Sequence, residues 1–207
     1  MLTIWGRTNS SNVMKVLWGC EELGVAFERL DAGGAFGRTR DAEYVAMNPN
    51  SLVPTIVEED GFTLWESHAI LRYLCATRPA GEALYPADPK RRAKVDQWMD
   101  WTLAHVTTPM TTVFFTYVRI PEPERDLKAA DRAAKELGRL WGIVEKELEA
   151  RAFVCGDFSI ADIALGIYLH RWHLLPVERP SLPRVSAWYA RLRERPGFRK
   201  HLDLPMT

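Results

Sequence analysis

The chain has 207 residues, with 27 Lys and Arg against 27 Asp and Glu, and 47% of its residues are hydrophobic. Balanced charge excludes a protein that grips nucleic acid or anionic lipid by bulk electrostatics, and the composition excludes a disordered or fibrous chain. No apolar stretch reaches the roughly 18–20 residues of a membrane span, and MLTIWGR lacks the basic region and long apolar core of a secretory signal. MLTIW has the length of a short strand. Val13, Val16, Leu17, Cys20 and Leu23 then recur with helical spacing, and Gly24 is a stop signal. VAFERL (25–30) alternates like a strand, a Gly-rich loop follows, and a short helical patch ends near Met47. A turn at Asn48-Pro49-Asn50 leads to VPTIVEED, a strand that opens on proline. Glu59-Asp60-Gly61 reads as a hairpin turn into FTLW (62–65), and helical period returns from Glu66 to about Thr77.

The order β-α-β-α-β-β-α predicts a thioredoxin-like layer over residues 1–78, and the Pro- and Gly-rich segment 79–89 reads as a linker. From 90 to 207 no strand pattern appears. One long helix is predicted over 90–118, bent at Pro109. A second, over 123–150, carries Leu127, Ala130, Ala134, Leu137, Trp141, Val144 and Leu148 on one face, and two more lie near 159–172 and 183–195. The fold class is an α/β thioredoxin-like N-terminal domain followed by an all-α C-terminal helical bundle. Cys20, Cys75 and Cys155 are widely spaced and odd in number, forming neither a CxxC pair nor a disulfide framework. That pattern suits a reducing, cytoplasmic setting.

Three junctions carry chemistry. Ser10-Ser11-Asn12 stands where the first strand hands over to the first helix. These residue types are preferred N-caps, and a helix N-terminus with a hydroxyl also stabilises an anion. A thiol of ordinary pKa near 8.5 is only a few per cent ionised at neutral pH, and lowering it by about two units takes roughly 2.7 kcal/mol. A charge-assisted hydrogen bond with the helix dipole is of that order. No cysteine stands at this point, so the thiol would arrive on a ligand. Val53-Pro54 opens the third strand; a trans bond is expected, because only about 5–6% of X–Pro bonds are cis. A cis bond would leave the Val53 backbone to pair with a peptide-like ligand. Glu66-Ser67 starts the next helix, with Ser67 expected as its N-cap. The alternative is that the helix N–H groups and Ser67 bind a ligand carboxylate while Glu66 pairs with an ammonium. In a thioredoxin-like layer all three junctions lie on one edge.

The segments GRTNSSNVMKVLWGCEELGVAFE, AMNPNSLVPTI, LWESHAILRYL, GDFSIADIAL and RVSAWYARLRERPGFRK resemble the cytosolic glutathione S-transferases over essentially the whole chain, most of all the bacterial members. The resemblance implies that Ser10 hydrogen-bonds the thiolate of glutathione, with Asn12 as rival or partner and Ser11 as third choice. Val53 would pair with the cysteinyl backbone, and Glu66 and Ser67 would bind the γ-glutamyl end. Arg40, with Arg38 as the alternative, would meet the glycyl carboxylate. Leu52 stands where several classes carry glutamine, and Ser51 replaces the usual glycine of the preceding turn. A C2 homodimer is also implied, and no nucleic acid or membrane partner is.

Elsewhere the residues point to folding. Ser159 and Asp162 form a capping-box pattern at a buried helix. His170 and His173 are spaced as two metal ligands with no third nearby, so no metal is expected. Cys20 lies on an apolar helical face and reads as a small core residue. Trp101, His105, Phe114 and Tyr117, with Phe36 from the Gly-rich loop, are candidates for a pocket taking a flat or apolar electrophile. The leading expectation is an enzyme that holds glutathione as thiolate and delivers it to such an electrophile. The alternatives are a glutathione-dependent peroxidase or disulfide reductase, and a non-catalytic binding module of the same fold.

Overall fold

A computed structural model of the protein describes residues 1–203. Its first unit is organised by a four-stranded sheet in the order β2-β1-β3-β4. β1 (Leu2–Trp5) runs parallel to β2 (Phe27–Leu30) and antiparallel to β3 (Thr55–Val57), which pairs antiparallel with β4 (Thr63–Trp65). Ile4 and Ile56 face each other across the central pair and are fully buried, so the register is fixed by the apolar residues that must leave water. α1 (Ser11–Leu23) follows β1 and ends at Gly24, which adopts the left-handed φ of 63° that a Cβ would oppose. α2 (Ala42–Met47) and α3 (Ser67–Thr77) complete the layer, α3 packing on α1. The mixed sheet and its helices form the thioredoxin-like domain that the sequence predicts.

The unit starts at Met1, as predicted, but extends past residue 78 and takes in a later segment of the chain. Part of the expected linker belongs to this unit: Pro79–Ala83 is a 3-10 turn with Gly81 buried, where a Cβ would stand 1.8 Å from the Cys75 carbonyl oxygen. The unit runs from Met1 to Tyr85 and regains the chain at Pro196. The segment from Pro196 onward was expected in the helical domain. It forms a further helix, α9 (Pro196–Leu202), that packs on α1, with Phe198 edge-on to Trp18 at 5.3 Å and Lys200 and His201 on Glu21. Residues 204–207 of the expected domain lie outside the described residues. Gly197 makes the packing of α9 possible, because a Cβ there would come within 2.5 Å of the buried Trp18 ring. Gly197→Ala is expected to lower stability by about 1–3 kcal/mol, read as a shift of the urea midpoint without change of slope.

The second unit, Pro86–Arg195, is helical. The predicted long helix is present, but its irregularity lies ahead of Pro109. α4 (Pro89–Trp101) and α5 (Thr107–Phe114) are joined by a π-helical turn, Thr102–Val106, and a second such turn, Phe115–Arg119, ends the run. A proline crowds the carbonyl four residues before it, so the strain is taken up in the preceding turn. There both the backbone N–H and the hydroxyl of Thr107 donate to the Thr102 carbonyl. α6 (Leu127–Glu147) starts on Asp126, which accepts from the Ala129 N–H at 2.9 Å, and buries Leu137, Trp141 and Val144 as its period requires. α7 (Ile160–Leu174) is buried over nearly its whole circumference, and α8 (Pro183–Glu194) packs on both α6 and α7. Among the described residues no helix is long and apolar enough to cross a membrane.

Candidate active site

The site is built where β1 and α1 meet. Ser10 is the N-cap residue of α1, with extended backbone (φ −85°, ψ 125°), and its side chain makes no capping hydrogen bond. Capping therefore does not account for this serine: its hydroxyl is largely buried at the positive end of a 13-residue helix and takes no part in closing it. Ser11 is the first helical residue and is half-buried. Asn12 faces inward, and its Oδ1 accepts from Lys15 Nζ at 3.1 Å and from the Ser67 hydroxyl at 3.3 Å. The first turns of α1 and α3 are thereby tied together through Asn12.

At α3 the N-cap is Glu66, not Ser67 as the capping expectation had it. Glu66 is exposed and lies at φ 72°, a left-handed conformation that costs a residue with a Cβ on the order of 1 kcal/mol. Ser67 is the first residue of the helix, buried, with its hydroxyl turned to Asn12. One edge of the first unit thus presents the heads of two helices, an exposed carboxylate on a strained residue, and two buried hydroxyls.

The loop from Asn48 to Thr55 sets the position of Val53. Tyr44 donates its hydroxyl to the Leu52 carbonyl at 2.6 Å and lies 2.9 Å from the Thr55 hydroxyl, while Asn48 Nδ2 donates to the same two acceptors at 2.8 and 3.1 Å. Burial pushes the Tyr44 phenol above its usual range, so it stays a donor. Ser51 adopts φ 55°, which explains why glycine suits this position. The Leu52 side chain is exposed, and only its backbone carbonyl is engaged. The Val53–Pro54 bond is cis, against the trans expectation; the buried Tyr44–Asn48–Thr55 network imposes the local path, and short-range sequence does not encode it. Val53 stands just outside the strand ladder, whose register begins at Thr55. Of the two arginine candidates, Arg38 lies with its guanidinium 4.3 Å from the centre of the Trp5 ring, and Arg40 is exposed just ahead of α2.

The pocket candidates fall in both units. Phe36 is exposed on the 3-10 turn Gly34–Phe36 of the first unit. In the second unit Trp101 and His105 lie side by side, 5.9 Å between ring centres, with Trp98 edge-on to Trp101 at 5.1 Å. Phe114 is buried beneath the Arg171 guanidinium at 4.3 Å and contributes to the core, which removes it as an open pocket wall. Tyr117 lines a cavity of about 570 Å³ with Ala134, Gly138, Val177 and Pro180, inside the helical unit. His170 Nδ1 meets the Tyr189 hydroxyl at 2.7 Å, and His173 stacks on the same ring at 4.2 Å. Among the described residues no group of three or more His, Cys, Asp or Glu is arranged to hold a metal ion. Burial pushes the Cys20 thiol up to about 12, which makes it inert as a nucleophile.

The sequence reading passed over Lys15. It is fully buried (0% exposed), and its Nζ lies 3.1 Å from His68 Nε2 as well as from Asn12 Oδ1. The signal was present: a lone lysine inside the otherwise apolar run Val13–Cys20. Its partner on α3 was 53 positions away and out of reach of any local pattern.

Residues 9–77 match the family "Glutathione S-transferase, N-terminal domain" and residues 128–191 match "Glutathione S-transferase, C-terminal domain". The chain belongs to the glutathione S-transferase family, as an enzyme. Among its relatives is glutathione S-transferase GstB of Escherichia coli (strain K12), 37% identical over 209 aligned residues that span 100% of both chains. Among solved structures, the theta class glutathione S-transferase from the citrus canker pathogen Xanthomonas axonopodis pv. citri, crystallised with glutathione bound, is 43% identical. It has a TM-score of 0.94 and covers 100% of this chain and 99% of that one. Elongation factor 1-gamma of Rattus norvegicus is 28% identical, covering 79% of this chain but 37% of its own length.

Proposed function

We propose that this enzyme binds glutathione at the edge formed by α1, α3 and the Asn48–Thr55 loop, holds its sulfur as thiolate at the head of α1, and transfers it to a hydrophobic or halogenated electrophile. The observation that carries the reading is the Ser10 hydroxyl, which heads α1 without capping it. An ordinary thiol is mostly protonated at neutral pH. A hydroxyl donating to the sulfur, with the partial positive charge of the helix end, favours the ionised form by an amount on the order of 2–3 kcal/mol. The thiol proton leaves to solvent, the thiolate attacks carbon, and a C–S bond forms. In a displacement the carbon–halogen bond breaks and the halide departs with the electron pair. Proximity supplies the remainder, because the nucleophile is already ionised and held.

The rest of the edge supports recognition of the tripeptide. The exposed Glu66 carboxylate suits its ammonium group, the α3 backbone N–H groups beside Ser67 suit the γ-glutamyl carboxylate, and the Val53 backbone suits the cysteinyl peptide group. Arg40 is the better of the two cations for the glycyl carboxylate, since Arg38 is stacked on Trp5. Trp101 and His105, their rings tilted by 41° at 5.9 Å, offer aromatic surface for an aryl or haloalkyl substrate. The reading includes a homodimer, as the resemblance implies.

Retention on immobilised glutathione, followed by assays with an aryl halide, haloacids, isothiocyanates and hydroperoxides, tests the proposal. Retention with conjugation of the aryl halide is the expected result. Failure to bind glutathione overturns the reading, and retention with hydroperoxide reduction alone replaces transfer by reduction.

A further inference from the structure

Leu52 and Val53 share one peptide group, and a trans peptide carries its C=O and N–H on opposite sides of the chain in one plane. Whatever holds the Leu52 oxygen therefore also aims the Val53 N–H. That oxygen accepts from two buried side chains, the Tyr44 hydroxyl at 2.6 Å and Asn48 Nδ2 at 2.8 Å. A phenol has a single proton, and Tyr44 gives it to Leu52, so across the 2.9 Å contact it is Thr55 that donates to the Tyr44 oxygen. Asn48 Nδ2 gives its other proton to the Thr55 oxygen at 3.1 Å, and the amide is held that way round because Oδ1 accepts from the Asn50 N–H at 3.0 Å. Every side-chain polar proton of the buried trio is thus engaged, and a fully satisfied network holds one arrangement. The Val53 N–H points away from that network and meets no acceptor among the described residues. Its side chain is pinned as well: Val53 packs on the cluster of Trp5, Ala32 and Tyr44, so close to Gly33 that a Cβ there would stand 3.2 Å from a Val53 methyl.

We propose that Tyr44 is a positioning residue for glutathione: its hydroxyl, with the Asn48 amide, locks the Leu52–Val53 peptide plane so that the Val53 N–H is held ready to donate to the cysteinyl carbonyl. This rests on the function proposed above, in which the Val53 backbone takes the cysteinyl peptide group. Tyr44 is buried and acts through the peptide, not by touching the ligand. With Asn48 as its one remaining donor, the Leu52 carbonyl would sample more orientations, and binding would then carry the entropy of fixing the plane. Thr55 has a different part. Its hydroxyl joins the two donors to each other but does not reach the Leu52 oxygen, so its loss leaves both hydrogen bonds on that carbonyl in place.

The experiment is a calorimetric titration of wild type, Tyr44→Phe and Thr55→Val with S-methylglutathione, an unreactive form of the tripeptide, and with its analogue carrying a trans alkene in place of the cysteinyl–glycyl amide. Tyr44→Phe keeps the ring that stands edge-on to Trp5 at 5.7 Å and removes only the hydroxyl. It should bind S-methylglutathione about three- to tenfold more weakly, the worth of one hydrogen bond. With glutathione itself KM should rise by the same factor, while kcat and the pKa of the bound thiol stay near wild type. Thr55→Val also loses a buried hydroxyl, yet should bind within about twofold of wild type. The alkene analogue has no carbonyl for Val53 to meet, so wild type and Tyr44→Phe should bind it within about twofold of each other. A folded Tyr44→Phe with wild-type affinity overturns the proposal, as do equal losses in Tyr44→Phe and Thr55→Val, or an undiminished loss with the alkene analogue. Should Tyr44→Phe fail to fold, amide exchange of wild type decides: the Val53 N–H should gain protection of about tenfold or more when S-methylglutathione binds, and an N–H that stays unprotected overturns the proposal. Wild type that binds neither glutathione nor S-methylglutathione takes down the functional reading itself, so the two failures are told apart.

Discussion

Replacing Asp162 with alanine is expected to cost about 3–5 kcal/mol, enough to remove much of the stability of a domain of this size. Asp162 is the N3 residue of α7 and is completely buried. Its carboxylate accepts from the Ser159 N–H at 2.9 Å, the Ser159 hydroxyl at 3.0 Å, the Val154 N–H at 3.1 Å and Trp188 Nε1 at 3.0 Å. One residue thus closes the capping box of the most deeply buried helix, fastens the 152–158 turn, and fixes the indole of α8. The alanine variant leaves three buried N–H donors without an acceptor, at about 1–3 kcal/mol each before relaxation. The pH dependence runs against that of a salt-bridged carboxylate. Burial pushes Asp162 from 3.8 up to about 6, its four donors pulling less strongly the other way. Between those values the folded state holds more proton than the unfolded one, so the contribution of Asp162 grows as pH falls from about 6 toward 4. The stability difference between wild type and Asp162→Ala should therefore be larger at pH 5 than at pH 7, by about 1 kcal/mol, when urea unfolding is followed at both.

Ser10→Ala is the second large expectation, and it falls on chemistry instead of stability. The side chain caps nothing, so the variant should fold with stability close to wild type. A hydrogen bond to a charged acceptor contributes about 1.5–3 kcal/mol, which is one to two pKa units of thiolate preference. Bound glutathione should then ionise at a higher pH, its thiolate fraction at neutral pH falling about 10- to 100-fold, with affinity for glutathione unchanged within several-fold. The sign is fixed: a raised thiol pKa moves the rising limb of the kcat/KM profile to higher pH, and activity recovers in alkaline buffer. An unmoved pKa would assign the sulfur to Asn12 and the helix end alone.

Much of this architecture is legible in residue order because it is local. The switch of period from two to three and four marks β1, α1, β2 and α3; Glu59-Asp60-Gly61 marks the hairpin; Ser159 and Asp162 mark the start of α7. What escaped depends on partners far along the chain. α9 has seven residues and begins at Pro196, which reads as a terminator; Phe198 acquires meaning only from Trp18. Lys15 reads as an exception to an apolar face until His68 is set beside it. Ser10 and Ser67 both depart from the capping expectation, because both readings of a serine at a helix start use the same residue types: one heads α1 without capping, and the other follows Glu66 and turns its hydroxyl to Asn12. Pro109 warns of trouble in the long helix but not of where the ladder yields, since the proline's clash falls on the carbonyl four residues earlier.

The return of α9 means that the first unit is assembled from two separate stretches of chain, with the helical unit inserted between them. A fragment stopping at Tyr85 would carry Ser10, Asn12, Val53, Glu66 and Ser67 yet lose Phe198 from the face of the Trp18 indole. Shortening the tail would likewise be felt at the head of the polypeptide, beside the first helix, and not among the helices that precede the cut.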